Sequence, residues 1–178
     1  MDFAKVLAEV ARFLDQQRSR WAVAGAFALH AHGLSRATSD LDFLVEDTAQ
    51  PPLLAFLDSL GYERLNVSAG YSNHLHPQPA WGRVDVIYVD PRTAELLFAR
   101  AVRLQLFPGA IVLVPRPEHL AAMKVLAMKS DPSRALREMA DIQSLLELPG
   151  VDEGEIRGYF EKHGLLEKFD VIKKALGS

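Results

Sequence analysis

The stretch from Trp21 to Glu46 restricts this chain most, because it must turn sharply between two strands and brings two carboxylates onto the second. Trp21-Ala22-Val23 has the composition of a short apolar strand. Gly25 follows, a residue suited to a tight turn and to close approach of the backbone to a ligand. Ala26 to His32 accommodates two turns of helix, and Gly33 suits its C-terminal stop. After the polar edge Thr38-Ser39-Asp40, the segment Asp40-Leu41-Asp42-Phe43-Leu44-Val45 alternates and then becomes continuously apolar. Residues i and i+2 of a strand share a face, so Asp40 and Asp42 stand together while Leu41 and Phe43 point the other way.

Two carboxylates on one face repel each other, and a divalent cation is the usual compensation. Mg²⁺ takes one or two carboxylates together with substrate phosphate oxygens. A third carboxylate lies in a second strand candidate, Arg83-Val84-Asp85-Val86-Ile87-Tyr88-Val89-Asp90. A charge set between Val84 and Val86 needs an ion partner or a metal. Each signal has a plainer reading when taken alone. Asp40 suits a loop cap, Asp42 a solvent-facing strand position, Asp85 an exposed edge strand and Gly25 an ordinary turn. Their joint occurrence, in this order, favours a metal site.

The pattern of a glycine turn after a strand, then Arg36-Ala37-Thr38-Ser39-Asp40-Leu41-Asp42, then a lone strand Asp85, resembles the nucleotidyltransferase superfamily with its DNA polymerase beta-type core. The family turn is usually Gly-Ser or Gly-Gly; here it is Gly25-Ala26, which lacks a hydroxyl but keeps the backbone N–H groups. A second segment, Glu118 to Met128 followed by Arg137 to Leu146, resembles the helical extension of minimal, AbiEii-like nucleotidyltransferases. There Lys124 matches a helix lysine and Asp141 an aspartate that follows a basic-acidic pair, here Arg137-Glu138. Together the two resemblances span roughly residues 21–147.

The resemblance implies an α+β fold: a mixed β-sheet flanked by helices, with a C-terminal helical extension packed on the core. It implies transfer of a nucleoside monophosphate from an NTP to an acceptor hydroxyl or phosphate, with two Mg²⁺ ions. Asp40 and Asp42 would hold both ions, and Asp85 the catalytic ion while accepting the acceptor's proton. The Gly25 and Ala26 amides would hold the β- and γ-phosphates, and Lys124 would neutralise triphosphate charge. Arg36 and Lys129 are weaker candidates for substrate contact; Lys129, Arg137 and Asp141 mark a candidate site in the extension. Helix spacing also permits a plain surface pair between Arg137 and Asp141, and Lys124 suits an apolar helix from which it snorkels. An AbiEii-like enzyme implies a toxin-like activity on tRNA and an antitoxin-like protein partner. The alternatives are a small-molecule, antibiotic-type adenylyltransferase and a non-catalytic interaction module on the same fold.

The remaining residues read as an ordinary scaffold. Phe3, Val6, Leu7, Val10, Phe13 and Leu14 recur at helical spacing over 3–18, with Asp2 as N-cap. Asp47 to Pro52 reads as a loop, Pro52 to Leu60 as a helix, and Tyr62 to Val67 and Tyr71 to His76 as paired strands. His74 and His76 would share one strand face, a spacing open to Zn²⁺ or substrate. A helix from Pro91 to Ala101 and a hairpin of Val102–Leu106 with Ala110–Val114 lead to Pro115-Arg116-Pro117, after which the pattern is helical: 118–129, 133–147, 152–163 and 165–176. The switch divides the chain into a core, 1–115, and an extension, 116–178. A net charge of −3 gives no general avidity for nucleic acid, so an RNA acceptor requires a local basic patch from Arg36, Arg64, Arg83, Lys124 or Lys129. The chain has no cysteine, no signal-peptide pattern and no apolar run of membrane-span length, from which a cytoplasmic protein without a membrane partner is expected.

Overall fold

The alternating segments pair as a mixed sheet. In this computed structural model, which describes residues 1–177, β1 (Trp21–Val23) lies antiparallel to β2 (Asp40–Glu46), and β2 lies parallel to β5 (Arg83–Val89). On the far side of β5 come β4 (Tyr71–Leu75) and then β3 (Glu63–Val67), both antiparallel to their neighbours, in the order β1-β2-β5-β4-β3. Register follows the period of two. Leu41, Phe43 and Val45 of β2 pair with Val84, Val86 and Tyr88 of β5, and all six are buried. Asp40, Asp42 and Asp85 point to the opposite face.

The chain divides into two compact units, Met1–Pro115 and Arg116–Ser178. In the first, α1 (Phe3–Gln16) begins at Asp2, whose carboxylate accepts from the Lys5 amide at 3.1 Å. It buries Val6, Leu7, Val10 and Leu14, and Phe13 stacks on Phe56 of α3 (Gln50–Ser59) with ring centroids 4.1 Å apart. The short α2 (Gly25–Ala31) buries Ala26, Phe27, Ala28 and Leu29. α4 (Pro91–Ala99) starts from Asp90, which caps the Arg92 and Thr93 amides at 3.0 Å, and β6 (Val102–Phe107) and β7 (Ala110–Val114) form a separate hairpin.

Asp47 to Pro52 is not a loop. A single 3₁₀ turn, Asp47–Ala49, runs straight into α3, whose prolines occupy first-turn positions where no amide donor is needed. His76 lies beyond β4, and neither it nor His74 is open to a ligand. His76 Nε2 is 3.0 Å from the Leu60 carbonyl and its Nδ1 accepts from the Gln78 amide.

The second unit packs α5 (Pro117–Ser130) against α6 (Ala135–Leu146) and α7 (Glu153–His163), with α8 (Leu166–Leu176) against α6 and α7. Its core contains Leu120, Val125, Met128, Ile142, Leu145, Ile156, Phe160 and Phe169. Gly164, at φ +70°, ends α7 in the left-handed conformation that returns the chain into α8.

His74 is a fully buried titratable group on the core face of the sheet. Its Nε2 lies 2.8 Å from Ser72 Oγ, itself 2.9 Å from Tyr88 Oη, and Nδ1 has no partner among the described residues. Burial holds the imidazole pKa below its ordinary value; Asp58 and Asp85 oppose the shift and Arg64 adds to it. With the folded pKa depressed, the unfolded chain takes the proton first. The stability tied to neutral His74 is therefore complete above the ordinary histidine pKa and is lost as pH falls towards the folded value. The urea midpoint should drop between about pH 7.5 and pH 5.5 in the wild type and drop less in His74→Gln. Equal drops in the two proteins would exclude His74 as the titrating group.

A carboxylate-lined candidate active site

Parallel pairing of β2 and β5 assembles the site. Asp42 is opposite Asp85 and Asp40 is opposite Arg83 in the register, so four ionic side chains share one patch of one sheet face. One oxygen from each of Asp40, Asp42 and Asp85 falls within a 4.8 Å cluster, and all three residues are half-buried. Asp40 is held by the Thr38 hydroxyl, which donates to its Oδ1. Arg83 Nε donates to both oxygens of Asp85, at 2.9 and 3.1 Å. The hydrogen bond to Asp85 raises the Arg83 pKa above its ordinary value, and the charges of Asp85, Asp40 and Asp42 add to the effect.

The glycine turn closes against the same patch. The Ala24 amide donates to the Asp42 carbonyl at 2.9 Å, which extends the β1–β2 ladder to the start of α2. Gly25 then turns at φ +58°, and a Cβ there would overlap the Asp42 carboxylate and lie 2.9 Å from Asp42 Cβ. Only glycine permits both this φ and this approach. Ala26 is completely buried, whereas Gly25 is half-buried and is the more accessible residue of the turn. The loop after α2 is held by His30, whose Nε2 accepts from the Arg36 amide at 3.0 Å, and by His32, 2.8 Å from the Pro115 carbonyl.

The donor set suits a hard divalent cation. It is all carboxylate oxygen, it is clustered, and it carries neither the sulfur nor the imidazole that softer metals favour. Two neighbours were not singled out for the site from the sequence. Arg83 was visible only as a basic residue, although its position two before Asp85 in a strand places both on one face. Asn73 of β4 stands opposite Asp85, and its side-chain amide makes no hydrogen bond among the described residues. Only the strand order reveals it.

The candidate residues of the second unit form a cluster of their own. Lys124 of α5 donates to Glu138 Oε2 at 3.1 Å and to Asp141 Oδ2, both on α6, and all three are buried. Arg134 also donates to Glu138, at 2.6 Å. The surface pair expected between Arg137 and Asp141 does not form. Arg137 is exposed while Asp141 turns inward to the ammonium, because a buried carboxylate requires a buried cation. Lys129 is exposed at the end of α5.

No family model and no curated protein matches the sequence. Solved structures do match. The crystal structure of ANT(2″)-Ia in complex with adenylyl-2″-tobramycin superposes at TM-score 0.66 and 12% identity, over 92% of this chain and 99% of that one. The lincosamide antibiotic adenylyltransferase LnuA, bound to lincomycin, superposes at 0.54 and 12% identity, over 81% and 96%. This chain has the nucleotidyltransferase fold. A Thermotoga maritima structure assigned as a nucleotidyltransferase matches it at TM-score 0.56 and 11% identity, over 78% and 92%. Within the nucleotidyltransferase fold of this chain, the exposed face of β2 and β5 carries the three carboxylates, and the Gly25 turn stands beside them.

Two substitutions separate site from scaffold. Gly25→Ala and Gly33→Ala both place a Cβ at positive φ, a strain of about 1 kcal/mol, but nothing lies within 4 Å of a Cβ at Gly33. Both should fold, and only Gly25→Ala should lose Mn²⁺ binding measured by electron paramagnetic resonance. Retained binding in Gly25→Ala would mean that the turn does not shape the site. Lys124→Met should lose about 3 kcal/mol in urea unfolding, with or without nucleotide, because Glu138 and Asp141 are left buried without their ammonium. A loss below about 1 kcal/mol would contradict a structural ion cluster.

Proposed function

We propose that the protein is a divalent-cation-dependent nucleotidyltransferase that moves a nucleoside monophosphate, AMP by preference, from an NTP to a hydroxyl of a small-molecule acceptor. The observation that carries this reading is the convergence of Asp40, Asp42 and Asp85 within 4.8 Å on the exposed face of a nucleotidyltransferase sheet. A non-catalytic module on this fold would have no reason to keep three like charges together.

Asp40, Asp42 and Asp85 would hold two Mg²⁺ ions, which supply charge neutralisation at the phosphate oxygens. The half-buried Gly25, without a side chain, lets a triphosphate approach the first turn of α2. The acceptor oxygen forms a bond to the α-phosphorus as the bond to pyrophosphate breaks, and its proton passes to Asp85. Thr38 keeps Asp40 oriented for these roles, Arg83 holds Asp85 in place before the ions arrive, and Asn73 offers an amide beside Asp85 to position the acceptor hydroxyl. Lys124 takes no part in phosphate binding, since Glu138 and Asp141 engage its ammonium. Arg36, Ala26 and Lys129 are left as secondary contacts.

Charge favours a small acceptor over RNA. Of the five cations that a basic patch would draw on, Arg64 is bound to Asp58, Arg83 to Asp85, and Lys124 to Glu138 and Asp141. With three of the five engaged by carboxylates, an RNA backbone finds less to hold it. ANT(2″)-Ia and LnuA, both seen with antibiotics, point the same way. The toxin-like activity on tRNA and the antitoxin-like partner rest on the helical-extension resemblance alone.

The test is incubation with α-phosphate-labelled NTPs and Mg²⁺, with either hydroxylated antibiotics of the aminoglycoside and lincosamide classes or total RNA, beside Asp42→Asn. Label should enter a small molecule, from ATP most readily, and fall at least about a hundredfold in Asp42→Asn. Label entering RNA instead would move the acceptor to nucleic acid. Absence of both transfer and NTP binding would overturn the catalytic reading.

A further inference from the structure

Arg83 stands where a cation would be wanted. Its Nε bonds to both oxygens of Asp85, its register partner is Asp40, and the Asp40 and Asp42 charges act on it as well. Asp85 is the more enclosed of the pair, its side chain 16% exposed against 42% for Arg83. The guanidinium uses only Nε here; Nη1 and Nη2 make no hydrogen bond among the described residues. It is therefore anchored by one edge and solvated at the other, which lets it leave without unfolding anything.

We propose that Arg83 is the resident counter-ion of Asp85, and that a divalent cation must displace it from Asp85 to load the site. The proposal rests on the nucleotidyltransferase reading. A carboxylate already paired with a guanidinium binds a divalent cation less tightly than one that is not. Arg83 therefore steadies Asp85 in the empty protein, and the site is loaded fully only when a cation competes for Asp85. Arg83 is thus a positioning residue with a cost: it orients Asp85 and competes with the ion that Asp85 is there to bind.

Removal of a merely structural arginine weakens ligand binding; removal of a competing cation strengthens it. Mn²⁺ binding without nucleotide, followed by electron paramagnetic resonance of the free ion, reads the difference. Arg83→Met should bind Mn²⁺ roughly tenfold tighter than wild type at low salt, with the gap narrowing at high salt. Arg83→Lys, which keeps the charge, should stay near wild type, and in an Asp85→Asn background the gain from Arg83→Met should shrink. Thermal melts of each variant check the fold. Equal or weaker Mn²⁺ binding by a folded Arg83→Met overturns the proposal while leaving the enzyme reading intact. Absence of Mn²⁺ binding in both wild type and Arg83→Met, with or without NTP, overturns the cation-dependent reading itself.

Discussion

The structure depends on one pairing: β2 parallel to β5, in a register that sets Asp42 beside Asp85. Like charges directly across a sheet are unfavourable, and at separations near 5 Å each repulsion is of the order of 3 kcal/mol before solvent screening. The other face of the same strands decides the outcome. Leu41, Phe43, Val45, Val84 and Val86 are essentially inaccessible to solvent, and burying each contributes about 2 kcal/mol. A slip of one residue would turn these side chains into water and drive the carboxylates into the core. The register is therefore fixed by apolar packing, and the repulsion on the exposed face is a cost the fold tolerates. Such a local conflict, held in place by good packing, is where function is expected.

The same logic explains why the turn before α2 is so constrained. β1 is only three residues long, yet its ladder continues through the Ala24 amide onto the Asp42 carbonyl. This brings the backbone of Gly25 against the Asp42 carboxylate, with no room for a side chain. Phe27 and Leu29 then anchor α2 in the core, so the turn cannot drift from the carboxylates. The close approach results from strand pairing on one side and helix burial on the other.

Much of this was legible in the sequence because it is local. Alternation in a strand has a period of two, so Asp40 and Asp42 could be placed on one face and Leu41 and Phe43 on the other without any tertiary knowledge. Asp85 stood out because Val84 and Val86 flank it. Adjacency created by topology cannot be read from spacing; for Asp85 it was the family resemblance that joined it to Asp40 and Asp42. Asp85 reaches Asp42 because β5 inserts between β2 and β4, although β3 and β4 precede it in the chain. Asn73 enters the patch by the same route. In the second unit, Arg137 and Asp141 are correctly spaced for a surface pair. The contact of α5 with α6 buries Asp141 against Lys124 instead, and burial overrides a spacing worth only tenths of a kcal/mol. The segment from Asp47 to Pro52 misled for a simpler reason: two prolines suggest a break, but at the first turn of a helix they cost nothing.

The two charge clusters of this protein follow opposite rules, and the contrast assigns their roles. Around Lys124 the cation is paired with two carboxylates; Glu138 is further matched by Arg134, and Lys124, Glu138 and Asp141 are buried. Such a network has little left to offer a ligand, because the ammonium and both carboxylates are already paired, and opening it would expose uncompensated buried charge. Around Asp85 three carboxylates gather on one sheet face and remain half-exposed, with Arg83 paired to Asp85 alone among them. That arrangement leaves carboxylate oxygens within reach of a cation from solution. A closed, paired cluster suits holding helices together; an open group of carboxylates suits a cation.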